Sequence, residues 1–169
     1  MAPEVFSTKE FDYLEEHLRI LSGFYGILRP FDGVAPYRLE MQAKLGVAGK
    51  KDLYSYWGDL PAKELFFDTK VVINLASKEY SRCISKYLPE DADFITCVFG
   101  EEKDGKVVEK ATMCKMLRGE MVRYMAENQI DKAEEIKDFD RRGYGFSPKY
   151  SDETTYVFVK ENNVVKEDF

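Results

Sequence analysis

The stretch Phe94-Ile95-Thr96-Cys97-Val98-Phe99, a break at Asp104-Gly105, and then Val107-Val108-Glu109-Lys110-Ala111 decide the fold class of this chain. Apolar, β-prone runs on either side of an Asp-Gly pair read as two antiparallel strands about a tight turn. Directly after them Met113, Leu117, Met121 and Tyr124 recur on one helical face, which predicts a long helix over 113–128. Upstream, Val71-Val72-Ile73-Asn74-Leu75 is an apolar run of strand length, and Ser77 is placed to cap a helix over 78–87. Downstream, Tyr144–Lys149 and Thr154–Lys160 suit a terminal hairpin. These elements define an α+β chain with a mixed, largely antiparallel sheet of about five strands flanked by helices.

The N-terminal half is less regular. Ser7-Thr8-Lys9-Glu10 is a capping-box pattern, and Phe11, Leu14, Leu18 and Leu21 extend a helix from it until Gly23. Residues 24–50 are rich in turn formers, with one short helix expected near 37–45. Asp52 to Trp57 and Lys63 to Phe67 read as helical pieces interrupted by Pro61.

At 169 residues the chain reads as a single domain with a sizeable core. It has 31 acidic against 25 basic residues, which argues against broad coating of DNA but leaves room for a local basic cleft. No apolar run has the length of a membrane span and no signal pattern opens the chain, so a cytoplasmic protein without membrane contact is expected. Three dispersed cysteines, Cys83, Cys97 and Cys114, form no Cys-x-x-Cys pattern and fit a reducing compartment. With one histidine, His17, there is no basis for a zinc site or a Cys/His or Ser/His/Asp centre, and no cofactor is called for.

Residues 17–41 concentrate the chemistry. Arg19, Arg29 and Arg38 stand there among glycines, prolines and aromatics without a lysine. Arginine is a planar, permanently charged donor fork suited to phosphate, and glycine admits a close approach of backbone to ligand. Each arginine taken alone suits an ordinary ion pair as well, such as Glu15–Arg19 on one helix. In the long helix, Lys115 and Arg118 sit near the start beside Gly119, where the helix dipole disfavours cations and an anion would be welcome. Gly46-Val47-Ala48-Gly49-Lys50-Lys51-Asp52 imitates a phosphate loop only superficially, with glycines too close together and Asp52 in place of Ser or Thr. Tyr54, Tyr56 and Trp57 suit core packing or base stacking.

Six ordered blocks then carry a resemblance: His17-Leu18-Arg19-Ile20-Leu21-Ser22-Gly23, Leu28-Arg29-Pro30-Phe31-Asp32, Pro36-Tyr37-Arg38-Leu39-Glu40-Met41, Leu53-Tyr54-Ser55-Tyr56-Trp57-Gly58-Asp59, Val72-Ile73-Asn74-Leu75-Ala76-Ser77-Lys78-Glu79-Tyr80 and Leu117-Arg118-Gly119. In this order they resemble the bacterial YaaA peroxide-stress proteins, over nearly the whole chain. Members carry further chain before the region matching Phe6, so residues 1–169 look like the C-terminal part of that pattern, one YaaA-like domain lacking the family's N-terminal portion. Lys115-Met116-Leu117-Arg118-Gly119 departs from the family's Lys-Lys-Ala-Arg-Gly run by one lysine.

The resemblance implies a cytoplasmic protein of the oxidative stress response that limits iron-dependent damage and binds DNA or another phosphate-bearing anion in a basic cleft. Arg19, Arg29, Arg38, Arg82, Lys115, Arg118 and Arg123 are the cleft residues it implies. The family's helix-hairpin-helix-like element falls in the portion absent here, so DNA binding by this chain is expected to be weak. An unpaired sheet edge is expected to favour self-association. An enzyme acting on a phosphorylated small molecule or nucleotide through the same cations is the alternative, with a cysteine redox sensor behind it.

Overall fold

A computed structural model describes residues 3–161 of the chain. They divide after Ile95 into two compact units, one before that residue and one from Thr96 onward.

The first unit opens with α1 (Thr8–His17), begun as the capping box requires: the Ser7 amide donates to the Glu10 carboxylate. The helix does not reach Gly23 as its apolar spacing suggests. It ends at Leu18, whose backbone turns extended at φ −82° and ψ 133°, and two short antiparallel strands follow, β1 (Ile20–Ser22) and β2 (Gly26–Leu28). Leu18 and Leu21 satisfy a helical period, but Ile20–Ser22 find strand partners four to eight residues on, a pairing that local periodicity does not register. Ser22 closes this hairpin, its Oγ accepting hydrogen bonds from the amides of Phe24 (3.2 Å) and Tyr25 (2.9 Å).

Residues 29–52 cross the unit without helix or strand, so the expected helix near 37–45 is absent. Tertiary anchors take its place. The Tyr37 hydroxyl meets Ser22 Oγ at 2.5 Å, and Met41 is buried with Leu53 and Cys83 against Leu39, Tyr54, Trp57 and Tyr80. An isolated bridge between Val47 and Lys50 makes a tight turn, with Ala48 at φ 48° and Gly49 at φ 75°. Then come α2 (Leu53–Trp57), capped by Asp52 Oδ1 accepting from the Ser55 amide at 2.7 Å, and α3 (Leu60–Leu65). Pro61 opens α3 rather than interrupting it, because the first turn has no intrahelical use for the missing N–H. β3 (Val71–Asn74) and α4 (Lys78–Ser85), begun at Ser77, match the sequence expectation.

β4 (Asp93–Lys103) starts before the division and continues past it. It turns through Asp104 and Gly105, both at positive φ (51° and 73°), into β5 (Lys106–Val108), the hairpin that the Asp-Gly pair foretells. The long helix α5 (Ala111–Asn128) follows, then β6 (Tyr144–Phe146) and β7 (Thr155–Lys160), which pair antiparallel. β7 also runs parallel to β4, from Thr96↔Thr155 to Gly100↔Val159, which makes the sheet mixed. The strand order is β3-β4-β7-β6 with β5 on the distal end of β4: five strands, beside the two-stranded β1-β2 ribbon. The second unit's core holds Phe99 stacked on Phe158 at 5.1 Å, with Phe139 edge-on to both and Leu117 and Met121 fully buried.

Candidate functional site

A cleft of about 450 Å³ opens on the first unit, lined by Gln42, Ala43, Lys44, Lys51, Asp52, Tyr54 and Arg82. Its size lies within the ~300–1,000 Å³ range of small-ligand sites. Helix α4 shapes one side. The Arg82 guanidinium lies over the Tyr54 ring, 4.7 Å from its centre, and the Tyr54 hydroxyl donates to the Glu79 carbonyl at 2.9 Å. The ring therefore holds a guanidinium whose edges stay exposed to solvent and whose donors are spread in one plane. The Glu79 carboxylate in turn accepts from the Gln42 amide at 3.2 Å, fixing the segment that carries Lys44.

Lys51 and Asp52 lie at the opposite end of the tight turn from Lys44. Asp52 is spent locally: hydrogen bonds from Ser55, and then the charges of Lys51 and Arg82, hold its carboxyl below the usual range. The cleft thus sets three cations against one carboxylate that already caps α2. Burial, foremost, raises the pKa of the Tyr54 phenol and keeps it a neutral donor.

Charge is distributed unevenly. Within residues 17–51 stand Arg19, Arg29, Arg38, Lys44, Lys50 and Lys51 against Asp32 and Glu40, in a chain that is acidic overall. In the second unit several cations are met by carboxylates, as Lys63 and Lys70 are by Asp59 and Asp91 in the first. Lys110 pairs with Glu101 (2.6 Å), Arg123 with Glu127 (2.6 Å), Arg141 with Glu127 (3.1 Å), Arg142 with Glu120 (2.7 Å) and Lys149 with Glu102 (3.0 Å).

Of the seven cations named from sequence, Arg82 lines the cleft. Arg29 and Arg38 are exposed on the same unit without an ion-pair partner among the described residues. Arg19 does not pair with the Glu15 carboxylate. It closes the C-terminus of α1, Nη1 donating to the carbonyls of Leu18 (2.9 Å) and Glu15 (3.2 Å), where a cation offsets the helix dipole. Lys115, Arg118 and Arg123 belong to α5 in the other unit. The helix begins at Ala111, two residues earlier than expected, so Lys115 and Arg118 lie beyond its first turn and the dipole argument for an anion there lapses. Arg118 Nε is buried without a hydrogen-bond partner among the described residues, and Arg123 is engaged by Glu127. Lys44 was not named from sequence, and Lys51 and Asp52 were set aside with the superficial phosphate-loop stretch; Gly46 and Gly49 between lysines carry a turn signal there, but not the convergence with Arg82.

Of the three aromatics Tyr54, Tyr56 and Trp57, Tyr54 and Trp57 pack against the core, the commoner of their two uses, while Tyr56 is exposed. Trp57 Nε1 donates to the Gly23 carbonyl at 3.0 Å, and Tyr54 is held as described. His17 is exposed, its ring 4.3 Å from that of Tyr13. Among the described residues no group of His, Cys, Asp or Glu is arranged to hold a metal ion, and no helix is long and apolar enough to cross a membrane.

Fold and surface together define an α+β protein with a mixed five-stranded sheet and an open, cation-lined cleft on its first unit. The sequence model of the family described as "Peroxide stress protein YaaA" matches residues 1–150, and the chain belongs to that family. Its relatives include a UPF0246 protein of Lachnoclostridium phytofermentans, 56% identical over 165 residues, which are 97% of this chain and 65% of the relative. UPF0246 proteins of Desulfitobacterium hafniense (56% over 160 residues, 95% of this chain and 64% of the relative) and Agathobacter rectalis (52% over 161 residues, 95% and 65%) are similar to it as well. The chain thus spans about 65% of the length of these relatives.

Proposed function

We propose that this chain serves the cytoplasmic peroxide-stress response for which its family is named by binding a phosphate-bearing anion, foremost the DNA backbone, in the cleft of its first unit. One observation carries the reading: Lys44, Lys51 and Arg82 converge on a single open cleft whose one carboxylate, Asp52, is committed to capping a helix. Arg29 and Arg38 add exposed positive charge on the same unit. Lysines act as point charges for phosphate, and the ring-braced Arg82 presents a fork that matches two phosphate oxygens.

The test is a fluorescence-anisotropy titration of a labelled duplex oligonucleotide with the 169-residue chain and with its Lys44→Gln/Lys51→Gln/Arg82→Gln variant. These side chains are exposed, so the variant should keep its fold, checked by circular dichroism. Binding by the parent and a loss of about tenfold or more in the variant is expected. Equal binding by both proteins would remove the cleft from the account. Saturation by one mononucleotide per chain with little salt dependence would favour an enzyme acting on a phosphorylated small molecule.

A further inference from the structure

We infer that unpaired nucleobases stack on an exposed ring pair, Phe24 and Tyr37, while the neighbouring arginines hold the strand's phosphates. This deepens the reading above and rests on it, since it names the part of the ligand that a phosphate-only site ignores.

Phe24 is 56% exposed and Tyr37 43% exposed, so both rings reach the surface, and here they do so side by side. Their rings lie 5.4 Å apart and only 34° from parallel. Tyr25 braces both from the side, edge-on at 4.8 Å to Phe24 and 5.5 Å to Tyr37. The backbone beneath is fixed as well. Ser22 Oγ accepts from the amides of Phe24 and Tyr25 and meets the Tyr37 hydroxyl, and the Tyr25 hydroxyl accepts from the Ala35 amide at 3.0 Å. The rings are therefore held at the surface by a closed set of bonds, and a ligand finds the platform already built.

Charge says what covers it. Arg38 follows Tyr37 directly and Arg29 lies in the same connecting segment; both are exposed and free of ion pairs among the described residues. Segment 17–51 as a whole carries six cations against two carboxylates. Flat apolar faces interleaved with phosphate-binding forks are the surface that binds single-stranded nucleic acid, where stacking tolerates any base. An inorganic anion would leave the rings unused.

The test compares a labelled oligothymidylate with an abasic strand of the same length, which keeps the phosphates and removes the bases. At one fixed low salt concentration the parent chain should bind oligothymidylate about fivefold or more tighter than the abasic strand. Phe24→Ala should abolish that difference while leaving abasic binding unchanged, and Phe24→Trp should retain it. Equal affinity for the two strands, or equal weakening of both by Phe24→Ala, would overturn stacking and leave the phosphate reading intact. Failure of either strand and of inorganic polyphosphate to bind would overturn both. Sedimentation adds a last arm: if Phe24→Ala dissociates a dimer without changing strand preference, the platform belongs to a second copy of the chain and the inference fails.

Discussion

The guanidinium of Arg82 lies 4.7 Å from the centre of the Tyr54 ring, and both side chains line the same cleft. The contact fixes a fork-shaped donor at the cleft wall, so charge alone should not replace it. Arg82→Lys keeps the charge and loses both the planar fork and the ring stacking. It should weaken oligonucleotide binding, though less than Arg82→Gln does, with the urea midpoint essentially unchanged because Arg82 is exposed. Anisotropy titrations of the two variants check the ranking, and a lysine variant that binds as tightly as the parent would reduce Arg82 to a point charge.

Trp57 fastens the β1–β2 hairpin, from which the chain runs on into the segment that carries Arg29 and Arg38. Its indole donates to the buried Gly23 carbonyl, and a Cβ at Gly26, where φ is 78°, would stand 3.0 Å from the indole Cζ3. Trp57→Phe should therefore cost about 1–2 kcal/mol by leaving that carbonyl without its donor. Gly26→Ala should cost about 1 kcal/mol or more from backbone strain, before the clash is counted. Urea denaturation of both variants reads these losses.

The three thiols lie buried, and burial pushes Cys97 up to about 12 and Cys83 up to about 11, and raises Cys114 as well. The thiolate is the peroxide-reactive form, so the folded chain should be alkylated slowly by iodoacetamide at neutral pH and rapidly in urea. The sign of the pH dependence follows. An unfolded thiol ionises near about 8.5 while the folded one stays protonated, so the unfolded state binds fewer protons above that pH and stability falls as pH rises. The urea midpoint should be level below about pH 8 and decline through pH ~10. A midpoint that rises over this window would contradict the burial of the thiols.

Much of the second half was legible in the sequence because its signals are local. Asp104-Gly105 dictates the β4–β5 hairpin through two positive φ angles, and Leu117 and Met121 set the buried face of α5. What eluded sequence reading depends on distant partners. The parallel pairing of β4 with β7 joins residues 59 positions apart, such as Thr96 and Thr155, and leaves no periodic trace. Ile20–Ser22 continue a helical pattern yet pair as a strand with Gly26–Leu28. In the candidate site Arg82 was named only through the family resemblance and stands outside its quoted blocks, whereas Lys44 and Lys51 were not named as site residues. Their convergence is made by the Val47–Lys50 turn and by α4, and spacing alone gave no sign of it.

The salt dependence of oligonucleotide binding tests the central claim most directly. Each phosphate neutralised on duplex DNA contributes about −0.9 to the slope of log affinity against log salt. For the parent chain the affinity should fall steeply with salt, and replacing Lys44, Lys51 and Arg82 by glutamine should make the slope shallower by roughly 2–3. A slope that is the same in parent and variant, or an affinity indifferent to salt, would contradict an anion-binding cleft at these residues.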